Sequence, residues 1–147
     1  MVKITNAEVQ NLINCFEEIS NRHANFPVKI WYSLGRNKDK LDSLFKASER
    51  ARIKIVEKYG EPTAENASVK QVPKEKMPEF QKEYLDLMEM EVEIDPYKIK
   101  LSLLESEVKK MEGVRGMYSF FNLFVEDDTK ESVQEIAEKA PVMEAVN

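Results

Sequence analysis

The feature that most constrains this chain is one helical segment running from about Pro27 to Tyr59. Pro27 stands where a helix can begin without losing a backbone hydrogen bond. Gly60, followed by Glu61-Pro62, supplies the stop. At ~1.5 Å rise per residue the segment is roughly 50 Å long, whereas a compact domain of this size has a radius of gyration of only about 15 Å. A helix of that length presents much of its surface to something other than its own core. Ile30, Trp31, Leu34, Leu41, Leu44 or Phe45, Ala51 and Ile55 keep a helical period along it, with Lys38 and Ser48 interrupting the seam. Gly35 in its interior costs about 1 kcal/mol against Ala and suggests a kink or a close helix crossing.

Around this segment the pattern predicts a mostly helical α+β fold. A first helix over 6–22, capped by Thr5 or Asn6, buries Val9, Leu12, Ile13, Phe16 and Ile19. The four-residue link 23–26 makes it the antiparallel partner of the long helix in a helical hairpin. Residues 61–76 are polar and form a loop with a short extended piece at 68–72. A helix over 77–90 follows, with Phe80, Tyr84, Leu87 and Met88 on its apolar face. Alternation marks strands at Val2–Thr5, Glu89–Asp95 and Tyr97–Leu101, enough for a small antiparallel sheet. Ser102-Leu103-Leu104-Glu105 reads as a capping box opening a helix over 103–112 that Gly113 stops. Asp128-Thr129-Lys130-Glu131 opens a last helix with Val133, Ile136, Ala137 and Ala140 as its stripe, ended by Pro141. The expected organisation is one domain over 1–125, followed by an acidic C-terminal helix and tail over 126–147.

Composition narrows the class. The 147 residues are 33% charged and 42% hydrophobic, a balance that suits a folded domain with a large wetted surface. The single cysteine, Cys15, excludes an intrachain disulfide, and its place in an amphipathic helix makes it a small buried hydrophobe. The opening MVKITNAEVQ lacks the basic and apolar regions of a signal peptide, and no apolar run reaches the ~18 residues of a membrane span. A cytoplasmic protein without a membrane partner is expected. The net charge of −5 is unevenly spread. Residues 27–59 hold nine Lys/Arg and four acids, a net +5, and residues 126–147 hold seven acids and two lysines, a net −5. That contrast points to an internal contact or to two surfaces with different partners.

No motif carries catalysis. Glu89, Glu91, Glu93 and Asp95 share one face of a strand, but their spacing matches no calcium loop and reads as a solvated face. Glu126-Asp127-Asp128 reads as charge at a helix N-terminus. His23, the only histidine, stands in no catalytic order with a nucleophile, and Gly113-Val114-Arg115-Gly116 is too short for a phosphate loop. The expectation is a non-enzymatic protein with no catalytic residue, cofactor or metal ligand. Two features stand out as surfaces. Lys46, Arg50, Lys54 and Lys58 recur every four residues, where like charges repel by a few tenths of a kcal/mol per pair, so a partner relieves strain. Nucleic acid is disfavoured by Asp42 and Glu49 among them and by the acidic total. The run Met117–Val125 is the most apolar in the chain, and Phe120, Phe121, Phe124 and Val125 do not all fit one side of a helix. It is either buried on two sides or part of a docking surface. The candidate partner surface is therefore Lys46, Arg50, Lys54, Lys58, Phe120, Phe121 and Phe124, with a protein or a second copy as the partner.

Five segments in order carry a resemblance. They are Pro27-Val28-Lys29-Ile30-x-Tyr32-x-Leu34; Ala51-Arg52-x-x-Ile55-x-Glu57-Lys58-Tyr59-Gly60-Glu61; Phe80-Gln81-Lys82-Glu83-Tyr84-x-x-Leu87-Met88; Glu91-Val92-Glu93-Ile94; and Ile99-Lys100-Leu101-Ser102-x-Leu104-Glu105. Together the chain resembles, over most of residues 1–112, a family of small tailed-bacteriophage and prophage proteins known only as a domain of unknown function. The resemblance implies a phage-encoded protein in the bacterial host cytoplasm, with no enzymatic activity and no site residues to carry over. The function expected is protein binding in virion or tail assembly, with inhibition or modulation of a host defence or replication factor as the alternative.

Overall fold

The structure is a computed structural model that describes residues 1–22, 24–66 and 68–128. Contacts divide the chain into two compact units, Met1–Ile13 with Lys38–Asp95, and Asn14–Asn37 with Pro96–Asn147. The stretch 1–125, expected as one domain, is thus shared between them, because two helices contribute residues to both. His23 and the expected helix beyond Asp128 lie outside the described residues.

In the first unit, β1 (Val2–Thr5) pairs antiparallel with β4 (Glu91–Ile94), Val2 opposite Ile94 and Lys3 opposite Glu93. Ile4 and Ile94 are buried while Glu91 and Glu93 face solvent, as the alternation requires. Thr5 then opens α1 (Asn6–Asn21). Its Oγ1 accepts the Glu8 N–H at 3.2 Å and donates to the Glu8 carboxylate at 3.3 Å, a reciprocal cap. Asn6 is buried and ties the sheet to α3 (Met77–Glu89): its Nδ2 donates to the Leu87 carbonyl at 2.8 Å and its N–H to Met90 O at 3.1 Å. That supplies a partner to a carbonyl at the open end of α3.

The long helix is α2 (Val28–Tyr59). Where it runs through this unit, only Leu41 and Ser48 are buried, and Leu44, Phe45, Ala51 and Ile55 are half-buried. Gly60 ends it in a space with no room for a side chain, since a Cβ there would lie 2.5 Å from the Val56 carbonyl oxygen. Around Gly35 nothing lies within 4 Å of such a Cβ, so no close crossing requires that glycine. A two-residue ladder, β2 (Glu61–Pro62) with β3 (Lys70–Gln71), and a 3-10 turn at Lys74–Lys76 lead into α3. There Leu87 is buried, and Phe80 stacks on Tyr84 at 6.1 Å and meets Tyr59 edge-on at 6.4 Å.

The core of the second unit gathers Cys15, Phe16 and Ile19 of α1, Ile30 and Leu34 of α2, and Phe120, Leu123 and Phe124 of α5 (Met117–Phe124). The sequence expectation of a strand at 97–101 in an antiparallel sheet is corrected. β5 (Ile99–Lys100) pairs in parallel with β6 (Val125–Glu126), in a ladder of its own. Pro96 ends β4, and Asn37 of α2, fully buried, holds the next residue from both sides. Its Nδ2 donates to Tyr97 O at 2.8 Å and its Oδ1 accepts the Tyr97 N–H at 2.7 Å. The capping box at Ser102 is also corrected. The turn begins at Leu101 with Lys100 as its N-cap, so Ser102 stands inside it, and its N–H and hydroxyl both bond to the Asp128 carboxylate. The helix expected over 103–112 is one α turn, α4 (Leu101–Leu104), continuing as a 3-10 helix over Glu105–Met111. Gly113 and Gly116, with φ of 79° and 83°, then turn the chain into α5.

Candidate functional site

The four cations singled out by their spacing all lie in the first unit, on the exposed side of α2. They are not equivalent. Lys58 is engaged, donating to the Glu83 carboxylate of α3 at 2.7 Å, and this bond raises its own pKa and lowers that of Glu83. Lys54 reaches Glu57 at 3.5 Å, a loose surface pair of the kind that contributes little. The side chains of Lys46 and Arg50 make no hydrogen bond or ion pair among the described residues. Arg52, two residues on, belongs to the packed side: its Nε donates to Glu49 at 3.0 Å, and that hydrogen bond holds the Glu49 carboxyl below its ordinary range.

Within this basic row stands a residue the sequence reading passed over. Ile53 is 44% exposed, three positions after Arg50 and one before Lys54. Its signal was present in the helical phase: with Ala51 and Ile55 on the packed stripe, the residue between them must point away. Arg50, Ile53 and Lys54 thus make an apolar centre flanked by cations, on a helix that holds their spacing fixed.

The aromatic half of the predicted surface is corrected. Phe120 and Phe124 are fully buried, each packed edge-on against Phe16 at 5.3 and 5.2 Å. They lie four residues apart on α5 and therefore do share a face. The run fits one helix because Val125 leaves it for β6 and Tyr118 takes the wet side. Phe121 is half-buried against Phe120. The candidate surface contracts to Lys46, Arg50, Ile53 and Lys54.

Cys15 is buried, and burial followed by the nearby Glu18 charge pushes its thiol up to about 11; it lies 3.7 Å from the Met117 sulfur. Among the described residues no group of three or more His, Cys, Asp and Glu is placed to hold a metal ion. No helix among them is long and apolar enough to cross a membrane. Compared with protein-family models, curated proteins and solved structures, the chain finds no match.

Proposed function

We propose that this is a non-enzymatic protein-binding accessory protein, whose partner presents an acidic surface to the α2 face of Lys46, Arg50, Ile53 and Lys54. The observation that carries this reading is that face: exposed cations, two without any partner among the described residues, around an exposed isoleucine. Arg is one of the residue types enriched where binding energy concentrates at interfaces. A second copy docking through the same face would set like charges opposite one another, so the surface meeting this face is an acidic one. The phage setting, with a role in virion or tail assembly, is supported by the resemblance of the segments between Pro27 and Glu105.

The test is a pull-down from infected and uninfected bacterial cells with the intact protein and with Lys46→Glu, Arg50→Glu and Lys54→Glu combined. The reading expects an acidic partner held in fixed stoichiometry, lost with the charge-reversed protein and weakened by salt. Equal capture by both proteins would overturn it. So would a salt-sensitive shift of DNA or RNA abolished by the same substitutions.

A further inference from the structure

The second unit contains an open cleft of about 620 Å³ between the start of α2 and the segment Tyr97–Leu103. That size falls within the ~300–1,000 Å³ of small-ligand sites. One part of its lining is cationic: Lys29, Lys98 and Lys100 are all exposed. The Lys29 ammonium has no hydrogen bond or ion pair among the described residues. Lys98 donates to the Leu123 carbonyl at 2.8 Å, which uses one of the three donors of an ammonium. Among the described residues the lining has one carboxylate, Asp128, bonded to the Ser102 N–H at 2.9 Å and to the Ser102 hydroxyl. Those bonds, ahead of the charge of Lys100, hold its carboxyl below the ordinary aspartate range. Among the described residues of the lining, three cations stand against one anion.

The other part of the lining is aromatic. Tyr32 is 60% exposed and meets Tyr97 edge-on at 6.3 Å. The Arg36 guanidinium lies 4.4 Å from the Tyr97 ring centre and 5.9 Å from that of Tyr32. Because Asn37 clamps the Tyr97 backbone on both sides, this ring stands on a fixed support.

We infer that this cleft binds a nucleoside phosphate, its phosphates held by Lys29, Lys98 and Lys100 and its base laid against Tyr32. Clustered ammonium groups neutralise a multiply charged phosphate without requiring a particular geometry. A tyrosine face stacks on any base. The volume of the cleft suits one nucleotide rather than a folded surface. An acidic peptide would use the lysines but leave the exposed ring idle, and so would a bare inorganic anion. This inference concerns the second unit and stands apart from the α2 face of the first.

The experiment titrates the full chain at low salt with ADP, with pyrophosphate and with adenosine, read by calorimetry and by amide chemical shifts. ADP is expected to bind at least about tenfold more tightly than either half, with shifts at Lys29, Tyr32 and Tyr97–Leu103. Tyr32→Ala lowers ADP affinity about tenfold, the scale of one base stacked on an aromatic ring, and leaves pyrophosphate binding unchanged. Lys29→Glu weakens both. Both side chains are exposed, and an unchanged unfolding midpoint checks that the variants fold. Lys46→Glu, in the other unit, leaves ADP binding as it was. A short oligothymidylate identifies the source: tighter binding than ADP assigns the site to a unit of a single strand, weaker binding to free nucleotide. The inference is overturned if ADP binds no better than pyrophosphate, if Tyr32→Ala leaves ADP affinity unchanged, or if a glutamate-rich peptide binds the cleft more tightly than ADP.

Discussion

Two buried asparagines do work that apolar periodicity hides. Asn6 and Asn37 each break a hydrophobic stripe, and each bonds to a segment more than fifty residues away. Asn37→Leu fits the stripe better by pattern but strands the Tyr97 N–H and carbonyl. It is expected to destabilise the protein by about 1–3 kcal/mol, the cost of unpaired buried polar groups, read from a urea midpoint. Truncating Phe120 to Ala costs about 3–5 kcal/mol by the same measurement, since the ring is wholly enclosed. Cys15 gives a prediction in pH. Its native thiol titrates near 11 against an ordinary 9.0, so the unfolded chain releases this proton first. The stabilising contribution is complete below about pH 9 and is lost as pH rises through about 11. Cys15→Ser should flatten that part of the stability profile, and a thiol reagent at neutral pH should label the native protein far more slowly than the urea-unfolded one.

At the scale of the elements, the long helix, α1 and α3 were all readable, because each carries an apolar stripe at helical spacing and end signals with a steric cause. The β1–β4 strands were readable from alternation. What escaped was pairing: two-residue strands contain too little pattern to name a partner, so the parallel β5–β6 ladder and the Asp128 bond to Ser102 had no local trace. Of the predicted surface, the basic residues were recoverable because charge spacing is local. Phe120 and Phe124 follow the buried alternative, because Val125 leaves the helix for β6 and the two rings, four residues apart, share its packed face. The glycines separate two meanings of the same residue. Gly60→Ala should destabilise, because a Cβ meets the Val56 carbonyl, whereas Gly35→Ala should raise stability by about 0.5–1 kcal/mol, since the site is open and helical. Thermal melts of the two variants moving in opposite directions would confirm the contrast; a rise for both would refute the packing argument at Gly60.

For the whole molecule, charge is distributed on three levels. Outside 27–59 and 126–147 the chain holds eleven Lys/Arg and sixteen Asp/Glu, a further net −5, so the basic helix stands against an acidic background rather than against the tail alone. Reversing Lys46, Arg50 and Lys54 together should therefore change association while shifting stability by less than about 0.5 kcal/mol per site, because none is buried. A collapse of the fold in that variant would move these residues from binding to architecture. The pairing of β1 with β4 has a consequence in time. Val2–Thr5 leave the ribosome well before their partners Glu91–Ile94. At about 5–20 residues per second the first strand waits several seconds with its edge bare. Helix formation, which takes microseconds, is finished long before, so the helices assemble first and the ladder that joins the two ends of the first unit closes after them.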